Sequence, residues 1–197
     1  MITEFKSTVF TAPIIGDAFR FLSLAITKVI GWKLVGEVPK KRKCILIAAP
    51  HTSNWDFALL LLIAFIWRVD LHWMGKDSLF PFPIRRLAIW FGGIPIDRSQ
   101  SNNMVDQMVQ HYKNSDELIV IVPPEGTRSK VERWKTGFYH IAHQANVPIL
   151  LGFIDAATKT MGFGGVFEPT GDIDKDIVEI QKFYKDKVGF MPENQYP

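Results

Sequence analysis

The protein has 197 residues, 47% of them apolar and 22% charged, and its 23 lysines and arginines outnumber its 20 aspartates and glutamates by three. This length favours a single domain, and this apolar fraction excludes a disordered or collagen-like chain. The single cysteine, Cys44, excludes a disulfide framework and a four-thiolate zinc site. A net charge of +3 suits an anionic ligand or a membrane surface better than a DNA duplex, so we expect no nucleic-acid partner.

Residues 13–32 place apolar side chains at helical spacing and predict an N-terminal amphipathic helix with a broad apolar face. The polar side chains gather on a narrower arc: Asp17, Arg20, Ser23, Thr27 and Lys28. The apolar face either packs on the rest of the protein or lies in the interface of a bilayer, and the spacing leaves both possibilities open.

The longest uninterrupted apolar run, residues 57–67, has 11 residues, whereas a membrane span needs about 18 or more. We therefore expect no spanning helix. The first ten residues lack the cationic start and apolar centre of a secretory signal, which predicts an intracellular protein.

Apolar runs that alternate with helical patterns predict an α/β fold, with a mostly parallel, mixed sheet flanked by helices. The predicted strands are residues 32–38, 44–49, 71–75, 93–97, 118–122 and 148–154. After the first helix, the predicted helices are residues 57–67, 83–91, 102–113 and 135–145. We predict an N-terminal amphipathic segment at residues 1–36 that could face a membrane, and an α/β domain at residues 37–197. Together they form one compact domain.

His51 and Asp56 lie in the turn between the predicted strand at 44–49 and the next helix. On one ideal helix they would point about 140° apart, so His51 must precede the helix. With Ser53 or Asn54 as the helix cap, Asp56 falls in the first turn and could bend back to the imidazole. A general base with its orienting partner and a plain helix-capping role both fit this spacing.

Residues 124–130 follow the predicted strand at 118–122 and so lie at the carboxyl end of a strand, where open α/β sheets bind ligands. Gly126 permits close approach of a ligand to the backbone, Thr127 offers a hydroxyl, and Arg128 can bind a phosphate through two hydrogen bonds. The alternative is a solvated turn with an ion pair between Glu125 and Arg128.

Two further cations, Lys76 and Arg98, also follow predicted strands. If the strand ends meet, Lys76, Arg98 and Arg128 could converge on one phosphate.

The sequence offers little for metal or thiol chemistry. His140 and His143 lie three residues apart on a predicted helix but have no third ligand at a familiar spacing, so we predict no metal site. Cys44 lies within an apolar strand, which favours a buried, inert thiol over a nucleophile.

The order of these motifs resembles the four sequence blocks of the glycerolipid acyltransferase superfamily, the lysophosphatidate and glycerol-3-phosphate acyltransferases. The blocks here are His51-x-x-x-x-Asp56, residues 93–98 (Gly-Ile-Pro-Ile-Asp-Arg), residues 124–129 (Pro-Glu-Gly-Thr-Arg-Ser) and residues 147–149 (Val-Pro-Ile). Residues 134–138 (Trp-Lys-Thr-Gly-Phe) also look like the segment that follows the third block. The resemblance runs from Ile45 to Asp155, and four blocks in order are far more specific than any one of them.

The resemblance implies transfer of a fatty acyl group from acyl-CoA or acyl carrier protein to a hydroxyl of a lysophospholipid or a related glycerol phosphate. It implies His51 as general base and Asp56 as its partner, without a covalent intermediate. It further implies that Glu125, Gly126, Thr127 and Arg128 hold the acceptor, with help from Arg98 or Lys76. The acyl thioester is a co-substrate, and no cofactor is expected. Backbone amides near residues 53–55 are candidates for stabilising the oxyanion.

The alternative is a non-catalytic lipid- or phospholipid-binding protein on the same scaffold, although the retained His51 and Asp56 disfavour it. Because the implied substrates partition into bilayers, the expected location is cytoplasmic, with peripheral attachment to the inner face of the membrane.

Overall fold

The structure, a computed structural model, describes residues 8–40, 42–97 and 101–196. The strands are β1 (Lys33–Val35), β2 (Lys43–Ala49), β3 (Leu71–Lys76), β4 (Gly93–Ile96), β5 (Leu118–Val122), β6 (Ile149–Asp155) and β7 (Thr160–Phe167). The α-helices are α1 (Ile15–Ile30), α2 (Asn54–Trp67), α3 (Arg85–Trp90), α4 (Ser101–Lys113), α5 (Gly137–Ala145) and α6 (Ile173–Tyr184). Each predicted element is present, and its ends lie within three residues of the prediction.

All seven strands form one sheet in the order β1-β7-β6-β2-β5-β3-β4. Neighbouring strands are parallel except for β6 and β7, which are antiparallel. The predicted mostly parallel, mixed sheet is therefore confirmed. Strand β2 is central, with Ile45 beside Val120 of β5 and Ile149 of β6. The carboxyl ends of β2, β5, β3 and β4 consequently lie along one edge of the sheet.

The sequence prediction missed β7 and α6. Strand β7 contains Gly162, Gly164 and Gly165, and glycine is depleted in strands, so its pattern is typical of a loop. The paired backbones explain the first of these glycines: Gly162 has φ 149°, and a Cβ there would lie 2.0 Å from the carbonyl oxygen of Val35 in β1. Helix α6 does carry a local signal, because Asp172 caps it by accepting a hydrogen bond from the amide of Lys175.

Both faces of the sheet are covered, as predicted. Strand β2 alternates between them: Ile45 and Ile47 lie in the buried cluster with residues of α4, α5 and α6, while Cys44 and Leu46 lie in the cluster with α2 and the segment before α1. Helix α1 packs on α2, and the rings of Phe19 and Phe65 stack with centroids 4.9 Å apart.

Helix α1 turns its small and polar residues toward the protein. Ser23 and Thr27 are 3% and 4% exposed and Gly16 is buried, whereas Phe21 and Val29 are 70% and 85% exposed. The sequence left open whether the apolar face of this helix packs on the protein or points away from it. In the structure, most of this face points away from the protein. Within the described ranges, no helix is both long and apolar enough to cross a membrane.

Candidate active site

The turn between β2 and α2 brings together the predicted catalytic pair. Ser53 caps α2, and its hydroxyl accepts a hydrogen bond from the amide of Trp55 at 3.2 Å. One carboxylate oxygen of Asp56, Oδ2, accepts from the amides of Thr52 and Ser53 at 2.7 and 2.8 Å. These bonds form a capping box, which fixes the Asp56 side chain at the start of the helix.

The same carboxylate oxygen lies 3.3 Å from Nδ1 of His51. The Asp56 side chain is 6% exposed and that of His51 is 24% exposed, so the carboxylate is enclosed while the imidazole remains accessible. A carboxylate at Nδ1 holds the tautomer in which Nε2 can accept a proton. The geometry is therefore that of an oriented general base.

The Glu125 side chain is buried against the backbone of His51 and is not exposed to solvent. Its Oε1 accepts a hydrogen bond from the backbone amide of His51 at 3.3 Å, and the residue is 3% exposed. Burial raises the pKa of the Glu125 carboxyl above its ordinary value. In this position the side chain supports the backbone of His51.

The loop after β5 passes close to a lysine that the sequence prediction did not assign to the site. Gly126 has φ 66°, and a Cβ at this residue would lie 2.8 Å from Nζ of Lys135. The amide of Lys135 donates to the carbonyl of Pro124 at 2.8 Å, which ties the two segments together. The ammonium therefore lies against a loop segment that has no side chain. The only signal in the sequence was the position of Lys135 in the segment that resembles the one after the third family block.

Two of the three predicted acceptor-binding cations, Arg128 and Lys76, lie in the described part of the chain, next to different elements. Nη1 of Arg128 donates a hydrogen bond to Oδ1 of Asn54, which brings the guanidinium to the N-terminus of α2. Thr127 is exposed, and its hydroxyl accepts from the amide of Ser129 at 3.3 Å. Lys76 is exposed at the end of β3, two strands from β2. Arg98 lies outside the described residues.

A cavity of about 820 Å³ opens beside His51 and Asp56 and is lined mainly by apolar side chains. His51, Asp56, Gly126 and Lys135 line its polar end. Its apolar walls include Leu60, Leu61, Trp73, Phe91 and Phe138. Its volume lies within the range for small-molecule sites. An imidazole, an ammonium group and many apolar side chains all line this one cavity.

The comparisons with known proteins show the family of this chain. The model of the Acyltransferase family matches residues 33–150, more than half of the chain. The chain belongs to the acyltransferase family.

The acyltransferase is also similar to a solved structure, that of the 1-acyl-sn-glycerophosphate (LPA) acyltransferase PlsC from Thermotoga maritima. The TM-score is 0.60, the sequence identity is 19%, and the match covers 87% of this chain and 77% of that one. At this identity the likeness is one of fold. A search of curated proteins gives no match. The family resemblance inferred from the sequence blocks is thus confirmed.

Three other sequence-predicted features of the acyltransferase can be compared with the structure. The amides of Ser53 and Trp55 already donate inside the helix cap, so two of the three suggested oxyanion donors are engaged there. Burial raises the pKa of the Cys44 thiol to about 12, which makes it a poor nucleophile. In the described part of the chain, no three histidine, cysteine, aspartate or glutamate side chains are grouped to hold a metal ion.

Proposed function

We propose that this acyltransferase moves a fatty acyl group from acyl-CoA or acyl carrier protein to a hydroxyl of a lysophospholipid or a related glycerol phosphate. The observation that carries the proposal is the His51–Asp56 pair, 3.3 Å apart, at the polar end of the large apolar cavity. The 1-acyl-sn-glycerophosphate activity in the name of the T. maritima structure supports the same substrate class.

In the proposed reaction, Nε2 of His51 removes the proton of the acceptor hydroxyl as its oxygen attacks the thioester carbonyl. Asp56 stabilises the imidazolium that forms. As the tetrahedral intermediate collapses, the new C–O bond remains and the C–S bond breaks. A thiol has a pKa of about 8.5, so the sulfur departs as a thiolate and then takes the proton from His51. This direct transfer requires no covalent enzyme intermediate.

Arg128 and Lys135 are the proposed cations for the acceptor's phosphate. Arg128 is held beside the N-terminus of α2 by Asn54, and Lys135 lines the cavity next to Gly126. Glu125, Gly126 and Thr127 belong to the same proposed acceptor loop, and Lys76 and Arg98 remain proposed acceptor contacts. The apolar part of the cavity suits an acyl chain, because its walls are mainly apolar side chains.

We also propose that the enzyme binds the inner face of the membrane through α1. The exposed apolar side chains of α1 include Phe21, Leu22 and Val29, and the exposed cations Arg20 and Lys28 lie on the same helix. Such a helix lies in the interface plane, and its cations are attracted to anionic headgroups.

A second exposed apolar group supports this orientation. Leu79, Phe82, Ile84 and Leu87 are exposed on and before α3, and Phe91 at the end of this helix lines the cavity. A bilayer that contacts α3 would therefore lie near the cavity, which a lipid substrate could enter from the membrane.

The deciding experiment offers acyl-CoA and acyl carrier protein with a panel of lysophospholipids, glycerol phosphate and amine-bearing acceptors, and identifies the products by mass spectrometry. We expect an O-acylated glycerophospholipid from the wild-type protein and none from a folded His51→Ala variant. Lysophospholipid binding without release of the donor thiol would instead indicate the non-catalytic lipid-binding alternative. Near-normal turnover of His51→Ala would remove the proposed base.

An Arg128→Gln variant tests the acceptor site separately. Loss of a charge-assisted hydrogen bond of about 1.5–3 kcal/mol predicts a roughly 10- to 100-fold rise in acceptor KM. The donor KM should stay unchanged, whereas an unchanged acceptor KM would remove Arg128 from the acceptor site.

A further inference from the structure

The chain after α6 runs back to the turn that holds His51 and Asp56. This C-terminal segment, residues 187–196, has no role in the proposed reaction. It meets the turn at Thr52, because the amide of Met191 donates a hydrogen bond to the Thr52 hydroxyl at 3.1 Å. The two residues lie 139 positions apart in the chain. The Thr52 side chain is therefore a direct link between the turn and a distant part of the sequence.

Thr52 is also packed closely against this segment. The residue is 2% exposed. A Cβ at Gly189 would lie 2.6 Å from Oγ1 and 2.8 Å from Cγ2 of Thr52, so only a residue without a side chain fits here unless Thr52 moves. The Thr52 side chain is thus enclosed between the turn and the backbone of the C-terminal segment.

Hydrogen bonds on both sides of this contact hold the C-terminal segment in place. Oε1 of Gln195 accepts from the amide of Gly189 at 2.9 Å, and its Nε2 donates to a backbone carbonyl of the same segment at 2.6 Å. The carboxylate of Asp155, at the end of β6, accepts from the amide of Val188 at 3.3 Å. These bonds fix the position of the Met191 amide relative to the sheet.

The backbone of Thr52 contacts the other side of the site. Its amide donates to Oδ2 of Asp56 at 2.7 Å, and the same oxygen lies 3.3 Å from Nδ1 of His51. The hydroxyl and the amide of one residue therefore connect the C-terminal segment with the carboxylate that faces the imidazole. A misplacement of about 1 Å far from the reacting atoms can cost a rate factor of about 100.

We propose that Thr52 is a positioning residue for the His51–Asp56 pair, and that its hydroxyl acts by holding the turn against the C-terminal segment. Thr52 does not line the large cavity, so it acts through the pair and not on a substrate. Without the bond from Met191 the turn can shift, and Asp56 then no longer holds a single tautomer of the imidazole. The inference rests on the proposed acyl transfer and adds a residue that supports its base.

Steady-state kinetics of Thr52→Val and Thr52→Ser test this proposal. Valine has the shape of threonine but cannot accept from the Met191 amide, whereas serine keeps the hydroxyl and loses the methyl group. We expect Thr52→Val to lower kcat roughly 10- to 100-fold at unchanged donor and acceptor KM, because the base is misplaced while the substrate contacts remain. Thr52→Ser should keep a kcat close to that of the wild type. If Thr52 served packing alone, serine would be the more damaging change.

Thr170→Val is the matched control. It removes a threonine hydroxyl that donates to Oδ1 of Asp176 in α6 at 2.8 Å, so it makes the same chemical change at a different contact. It should lower the melting temperature and leave the kcat of the folded protein unchanged. An equal fall of kcat in Thr170→Val and Thr52→Val would contradict a role specific to the turn.

Gln195→Ala tests the C-terminal segment independently of Thr52. It removes the two hydrogen bonds of the Gln195 side chain and should lower kcat less than Thr52→Val does, again at unchanged KM. Combined with Thr52→Val it should cause no further loss, because the segment acts through Thr52. Additive losses in the double variant would contradict this route.

Long-range ¹H–¹⁵N NMR of protein with labelled histidine tests the pair without turnover, because the nitrogen shifts show which ring nitrogen carries the proton. At a pH where the imidazoles are neutral, we expect the proton on Nδ1 of His51 in the wild type, Thr52→Ser and Thr170→Val. We expect a mixture of both tautomers in Thr52→Val. The His51 signal is the one that is absent from His51→Ala.

Four results would overturn the proposal: wild-type kcat in Thr52→Val, a rise in KM in place of the fall in kcat, a lower kcat in Thr52→Ser than in Thr52→Val, or an unchanged His51 tautomer in Thr52→Val. If Thr52→Val does not fold, Gln195→Ala decides, and wild-type kcat in that variant contradicts the proposal. If the tautomer changes as expected but the wild type transfers no acyl group, the proposed function fails while the positioning role of Thr52 stands.

Discussion

Helices α1 and α2 are both rich in apolar residues and pack against each other, but they present those residues in opposite ways. Helix α2 buries Leu59, Ile63 and Phe65 against the sheet, whereas α1 exposes Phe21 and Val29 and buries Ser23 and Thr27. The two helices differ in this way because they pack against different parts of the protein. Helix α2 follows β2 and covers one face of the sheet, while α1 packs on α2, where the ring of Phe19 stacks on that of Phe65.

The two helices also differ in the role that we propose for each. The N-terminus of α2 holds the His51–Asp56 pair, and the outward face of α1 is the membrane contact that we propose. Substitutions in the two helices should therefore affect different measurements.

The largest expected effect is that of Asp56→Asn at the start of α2. The neutral side chain can still accept from the amide of Ser53, but it no longer stabilises an imidazolium at His51. We expect kcat/KM to fall by roughly 10²–10⁴, the range for general-base catalysis, with normal binding to vesicles. Rates measured beside vesicle sedimentation check both points. A variant that retains wild-type kcat/KM would remove Asp56 from the mechanism.

The next effect concerns the outward face of α1. Burial of one large apolar side chain contributes about 1.5–3 kcal/mol, so Phe21→Glu/Val29→Glu should weaken partitioning onto anionic vesicles at least about 100-fold. Turnover of a short-chain, monomeric acceptor should stay unchanged.

The conservative variant Phe21→Leu/Val29→Leu is the control, since it retains the apolar surface and should sediment with vesicles like the wild type. If the glutamate variant still sediments normally, α1 is not the membrane contact.

A matched pair of substitutions sharpens the comparison within α1 itself. Ser23→Leu adds volume at a buried position and should lower the free energy of unfolding by about 1–3 kcal/mol. Phe21→Ser, on the outward face, should change it by about 0.5 kcal/mol or less. Denaturant titrations of both variants give the two values, and the reverse ranking would contradict the orientation of the helix.

The smallest expected effect is a pH dependence near the start of α2. Because burial raises the pKa of Glu125 above its ordinary value of 4.5, the folded protein binds this proton more tightly than the unfolded chain does. The contribution of this group to stability is therefore full below pH 4.5 and is lost as the pH rises through the raised pKa.

Glu125→Gln removes this titration and can still accept from the amide of His51. We expect the variant to gain stability relative to the wild type as the pH rises above 4.5, measured by denaturant unfolding at several pH values. A stability difference that does not change with pH would contradict the raised pKa.

Much of the site could be predicted from sequence because its central part is local. His51, Ser53 and Asp56 lie within one strand–turn–helix segment, where capping rules fix the geometry. Glu125 was harder to interpret, because the exposure of a loop side chain depends on what packs over it. The structure buries Glu125 behind His51, which lies 74 residues earlier.

Lys76 and β7 also could not be interpreted from the sequence, because their surroundings depend on segments far apart in the chain. Lys76 follows a strand, as Arg128 does, but the strand order puts β3 two positions from β2, and Lys76 does not line the large cavity. The glycines of β7 are typical of a loop in the sequence. One of them, Gly162, is required because the backbone of β1 passes close to it, and β1 lies far away along the chain.

The sequence by itself determined the alternation of strands and helices, the turn that brings His51 and Asp56 together, and the family, since periodicity, caps and motifs act over a few residues. Only the tertiary structure decided which face of α1 points outward, where Glu125 and Lys135 lie, and that a large apolar cavity lies beside His51. These features depend on contacts between segments far apart in the chain, and those contacts follow from the strand order, which no local pattern encodes.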